Sequence, residues 1–182
     1  MNEILVVLVM LQTSPHLKQP APVEEADLAT EVVFVEEKPD PVTGEFAVDP
    51  YPPSNENAGA NPFASLSMAN QFGGQSGIRS MTDRLIDISH NDPRISDIFK
   101  GQDIVRLRRT LFEQFCYILA AGCDYTGRDM RAAHADMGLE RDDLNALVEN
   151  LQRAMQERRI PFAAQNRLLA KLAPMDRAVL QK

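Results

Sequence analysis

Apolar residues recur at helical spacing through the last two-thirds of the chain and do not do so in the first third. From residue 65 the pattern is a succession of amphipathic stretches. Residues 65–72 make a short one closed by Gly73 and Gly74, and residues 77–89 place Ile78, Met81, Leu85, Ile86 and Ile88 on one side. His90-Asn91-Asp92-Pro93 interrupts the pattern, and residues 93–99 read as a turn-like helix. Asp103 is a good N-cap. It opens a long helix to about residue 119, with Ile104, Leu107, Leu111, Phe112, Phe115, Ile118 and Leu119 inward. Residues 140–157 repeat the pattern through Leu144, Leu147, Val148, Leu151 and Met155. A last helix starts near Phe162, carries Leu168, Leu169, Leu172 and Met175, and is open to a kink at Pro174. No strand-like alternation follows residue 63, so this part is all-α.

Between the long helix and residue 140 lies Tyr125-Thr126-Gly127-Arg128-Asp129-Met130-Arg131-Ala132-Ala133-His134. It reads as a loop entering a short helix, with Thr126 as cap, Asp129 at the positive end of the dipole and Gly138 as the stop. One imidazole stands at its far end beside two small alanines. A single histidine on a helix is most often packing or surface, so this motif alone assigns no chemistry.

Composition separates the front of the chain from the rest. Residues 12–62 hold 9 of the 12 prolines. Residues 1–62 carry 11 acidic and 2 basic residues, against 15 and 17 in residues 63–182. That predicts a disordered, acidic, proline-rich N-terminal extension over 1–62 and a nearly neutral helical domain over 63–182. Residues 31–36 and 45–48 have the composition of a marginal hairpin. No basic surface suits nucleic acid. The apolar run 4–11 is too short for stable membrane insertion. As a secretory signal it lacks a basic residue before it and an A-x-A site after it, which favours a cytoplasmic protein over an exported one. Cys116 and Cys123 are in no zinc or haem-attachment spacing, and the expectation is buried free thiols.

Residues 65–182 resemble a truncated haemoglobin, the two-over-two globin, closest to group I. The marks are Gly73-Gly74, Asp92-Pro93-Arg94-Ile95 with Phe99, the stretch from Tyr125 to Met130 followed by His134, and Pro161. The resemblance implies a b-type haem between the helix from Asp103 and the helix from Leu144, with His134 as proximal ligand to iron. It implies an apolar pocket drawn from Phe99, Leu107, Leu111, Phe115, Leu147, Leu151 and Leu172, with Met130 beneath the ring and Tyr125 at its edge. Arg109, Thr110, Arg128 or Arg131 would meet the propionates.

The sequence departs from the family on the distal side. Where relatives carry a tyrosine on the second helix this chain has Ile86, and Leu107 and Leu111 fill the long-helix positions. The hydrogen bond that holds O2 is therefore absent, and CO and NO should suffer less from its loss. Ala120-Ala121 replaces a glycine pair, with Gly122 placed to supply the backbone freedom. The expected function is reversible binding of O2, CO or NO. The alternatives are a haem-based gas or redox sensor, an NO dioxygenase with a reductase partner, and a haem-free helical interaction module.

Overall fold

A computed structural model describes residues 38–180. The apolar run 4–11 and residues 31–36 lie outside the described residues. Among the described residues there are helices and turns and no strand.

Helix α1 (Ser67–Gln71) is short and ends where Gly73 turns left-handed, at φ 78°. Helix α2 (Gly74–His90) follows directly and starts one turn earlier than the hydrophobic pattern predicts. Its first turn carries no large apolar side chain to announce it. Gly77 is required there, because a side chain would strike the carbonyl of Phe72. Ile78, Met81, Leu85 and Ile86 are buried, and α2 packs against both α3 (Ile104–Ile118) and α5 (Arg141–Glu157). Arg79 also lies over the Phe112 ring, 3.7 Å from its centre. The corner between α2 and α3 is pinned by Asp92, whose carboxylate receives Arg94 at 2.8 Å and the Asn150 amide of α5 at 3.0 Å. Hydrogen bonds from Arg94 hold that carboxyl well below its usual range.

Asp103 caps α3 as expected, its Oδ1 accepting from the Arg106 amide at 2.9 Å. The end of α3 differs from expectation in two ways. Ala120, not Gly122 alone, takes the left-handed conformation, with φ 59°. The amides of Ala120 and Ala121 donate to the carbonyls of Tyr117 and Cys116, at 2.9 and 2.8 Å, closing a Schellman motif. This reversal, continued by Gly122 at φ 84°, brings Cys116 and Cys123 to a Cα separation of 5.5 Å, and they form a disulfide. The expected free thiols are thus corrected: six intervening residues are enough once the backbone turns back on itself.

The core joins α2, α3, α5 and α6 (Phe162–Leu172) around Ile78, Met81, Ile118, Leu119, Met155 and Leu168, all at most 2% exposed. Truncating such a side chain to alanine costs about 2–5 kcal/mol. Helix α6 stops at Leu172, ahead of Pro174. A 3-10 turn at Ala173–Met175 leads to α7 (Asp176–Val179), so the proline ends the helix where a kink was expected.

Residues 38–62 do not behave as the linker their composition suggests. They have almost no regular structure, yet their polar groups are bonded to the helical domain. Asn55–Ala58 is a 3-10 turn capped by Ser54. Ala58 is fully buried, and its carbonyl accepts from the Gln114 amide at 2.9 Å. Asn55 accepts from the Tyr125 amide at 2.7 Å and donates to Asp124 at 2.9 Å. The Phe63 amide donates to the carbonyl of Ile118 at 2.8 Å.

Candidate functional site

The short helix after the disulfide loop sets the geometry of the site. It is α4 (Met130–Ala133), only four residues long. Its cap is Asp129, whose Oδ1 accepts from the amides of Arg131 and Ala132 at 2.9 and 3.0 Å. Thr126 was expected in that role. Its amide and hydroxyl instead donate to Glu113 of α3, at 3.0 and 2.7 Å. Gly138, the expected stop, comes five residues beyond the helix end, at φ 63°.

His134 is the C-cap residue of α4 and is half-buried. Its Nδ1 lies 2.7 Å from the carbonyl oxygen of Met130. A carbonyl only accepts, so Nδ1 carries the proton. In the neutral ring Nε2 is then left with a lone pair, the tautomer suited to a metal. Tyr125 stands behind this turn. Its hydroxyl donates to the Arg128 carbonyl at 2.8 Å, and burial pushes its pKa up to about 12. The ring folds back over Gly127, where a side chain would run into it. The Met130 sulfur accepts from the Gln114 amide at 3.2 Å.

Above this turn opens a cavity of about 730 Å³, within the range of cofactor sites. His134, Met130 and Tyr125 line one part of it. Ile86 of α2, Leu107, Leu111 and Phe115 of α3, Leu147 and Leu151 of α5, Leu172 of α6, and Phe99 line the rest. The structure therefore brings all eleven sequence-predicted residues to one cavity. Ile86, Phe115 and Leu151 are at most 4% exposed, and the wall they make is aliphatic and aromatic. Tyr117 is not among the lining residues. Thr110 lines the cavity, but its hydroxyl donates to the Arg106 carbonyl one turn back, at 3.0 Å.

The cations are distributed differently from expectation. Arg109 does not line the cavity; its guanidinium is bonded to Glu45, Glu113 and Thr126. Arg131 does not line it either. Arg128 does, and so does Arg106, which sequence reasoning passed over. Two polar groups inside the wall were also missed, Ser89 and Gln114, both buried. Ser89 follows Ile86 by three residues and Gln114 follows Leu111 by three, so the helical period placed both on the inward face. Among the described residues no group of three or more His, Cys, Asp or Glu side chains is placed to hold a metal ion.

Comparison with known proteins agrees with this architecture. The family model described as bacterial-like globin matches residues 67–181. The group 1 truncated haemoglobin GlbN of Nostoc commune is 26% identical over 116 residues, 64% of this chain and 98% of that protein. GlbN of Nostoc sp. (strain MUN 8820) is 27% identical over the same shares. Among solved structures, the 2/2 haemoglobin of Synechococcus sp. PCC 7002, crystallised in the cyanomet state with covalently attached haem, superposes with a TM-score of 0.60 at 21% identity. It is covered to 99% and covers 64% of this chain. Truncated haemoglobin of Tetrahymena pyriformis in its Fe(III) form gives a TM-score of 0.60 at 20% identity, covering 62% of this chain and 97% of its own. Residues 38–66 precede the family match. From the matched segment and the all-helical architecture together, the chain belongs to the bacterial-like globin family, has the truncated two-over-two globin fold and is similar to group 1 truncated haemoglobins.

Proposed function

We propose that this globin binds one b-type haem through Nε2 of His134 and takes up a small diatomic ligand, O2, CO or NO, on the face lined by Ile86, Leu107 and Leu111. The observation that carries this reading is the imidazole tied by Nδ1 to Met130 at the wall of an apolar cavity. His134 would hold the haem, which would supply an iron able to bind a diatomic gas. The chain's own groups do the rest. The Met130 carbonyl fixes the ring's tautomer. The aliphatic wall excludes water. Arg106 and Arg128 are the cations available to carboxylates at the cavity mouth.

The distal side chains set the ligand preference. Ile86, Leu107 and Leu111 offer no donor, and Thr110 has committed its proton to a backbone carbonyl. A ligand that gathers negative charge, O2 above all, is held less well than CO. This favours reversible binding over NO dioxygenation, which needs a long-lived O2 form and a reductase.

The test is direct. Purified protein titrated with hemin should develop a Soret band saturating at one hemin per chain. His134→Ala should weaken or abolish it while the far-ultraviolet circular dichroism stays helical. No Soret band in the native chain would end the haem reading.

A further inference from the structure

Residues 45–51 precede the segment shared with the relatives, and their placement suggests a function of their own. They lie along the mouth of the cavity, tied down by three arginines and one cap. The carboxylate of Glu45 takes a two-pronged bond from Arg109, with Nη2 at 2.9 Å from Oε2. The Phe46 amide donates to Oδ2 of Asp103 at 2.8 Å, and Arg106 donates to the Phe46 carbonyl. Arg128 donates to the Asp49 carbonyl at 3.2 Å and lies over the Tyr51 ring, 5.3 Å from its centre. The segment is set in position by a tight turn in which Asp40 accepts from the amides of Val42 and Thr43, at 2.9 and 2.7 Å.

These tethers use the backbone and Glu45, which leaves the apolar side chains for another purpose. Phe46, Val48 and Tyr51 all line the cavity. Phe46 and Val48, two residues apart, both turn to the cavity. They are 40% and 44% exposed, apolar surface that the protein itself does not cover. Arg106 and Arg128 also line the cavity while holding the segment's carbonyls. A guanidinium has five donors, so each can hold the segment and an anionic group together.

We propose that residues 45–51 are a strap that forms the outer wall of the haem site, with Phe46 and Val48 packing on the edge of the macrocycle and Arg106 and Arg128 held over its carboxylates. This rests on the haem reading above. The strap's effect is on retention: a ligand leaving the cavity must displace it, so its loss should appear mainly in the dissociation rate.

The experiment uses the full chain loaded with hemin and mixed with an excess of an apo-globin acceptor whose Soret band is distinct. Transfer is followed with time. Phe46→Ala combined with Val48→Ala removes the cover and keeps the tethers, and Glu45→Gln loosens the tethers and keeps the cover. Val42→Ala, at a residue 90% exposed in the turn that precedes the strap, is the control. Both strap variants should take up one hemin per chain and release it faster, the double variant by about tenfold or more. The control should match the native chain. A double variant that releases hemin within a factor of about two of native would overturn the proposal. So would equal acceleration in the control. Native protein that never binds hemin would instead remove the haem reading, a separate result seen before any transfer is measured.

Discussion

Replacing Ile86 by tyrosine tests the distal pocket most sharply. Ile86 is 2% exposed and faces the cavity from α2, among aliphatic neighbours. A phenol there would place a hydroxyl with a proton to give among Leu107 and Leu111, where Thr110 already donates to the Arg106 carbonyl. A hydrogen bond to a ligand bearing partial charge is worth about 1.5–3 kcal/mol. That corresponds to roughly ten- to hundredfold in O2 affinity, expressed mainly as slower release. The larger side chain brings an opposing cost: overpacking a tight site costs about 1–3 kcal/mol of stability, though the adjoining cavity can receive the ring. Ile86→Phe separates the two effects, having the bulk without the hydroxyl. The assay is stopped-flow replacement of O2 by CO, with CO release measured in parallel. Tyrosine should slow O2 release relative to both native and phenylalanine proteins and leave CO release nearly unchanged. If the tyrosine and phenylalanine variants release O2 at the same rate, the account of the aliphatic wall is wrong.

Two other predictions concern the scaffold on the proximal side. Ala120 holds a left-handed backbone at φ 59°, which costs an L-residue about 1–2 kcal/mol. Ala120→Gly relieves this and adds unfolded-state entropy of opposite effect, so a net gain of about 0.5–1 kcal/mol is expected as a higher urea midpoint with unchanged slope; a lower midpoint would refute it. Tyr125 should resist ionisation until about pH 12, because burial disfavours the phenolate. Its folded-state pKa is raised, so the stability it contributes is complete below the free phenol value of about 10 and is lost as pH rises from there towards the folded value. Spectrophotometric titration should show one late tyrosine, absent in Tyr125→Phe.

The helices were legible because their burial is periodic. Spacing marks Leu107, Leu111, Phe115, Leu147 and Leu151 as inward faces, the family resemblance implies that they share a pocket, and the structure gathers them at one cavity. His134 was legible by position, but its tautomer was not: that depends on the Met130 carbonyl, a backbone atom. The strap was invisible for a related reason. Its ordering comes from bonds spanning about sixty residues, such as Glu45 to Arg109 and Phe46 to Asp103, and proline-rich composition reports only that a segment cannot build a core of its own. The disulfide escaped because six residues separate its cysteines, and the left-handed Ala120 and Gly122 together fold that spacing short. Thr126 was misread because a hydroxyl near a helix start resembles a cap, whereas Asp129 is nearer and Glu113 competes for the threonine.

Asp103 shares its carboxylate between two tasks. One oxygen receives the amide of Arg106 and begins α3; the other receives the amide of Phe46. The same side chain therefore caps a helix and anchors a segment nearly sixty residues upstream, and Arg106 braces both by donating to Oδ2 of Asp103 and to the Phe46 carbonyl. The first turn of α3 and residues 45–51 should therefore open together, with their amide protons exchanging at a common rate in a hydrogen-exchange measurement.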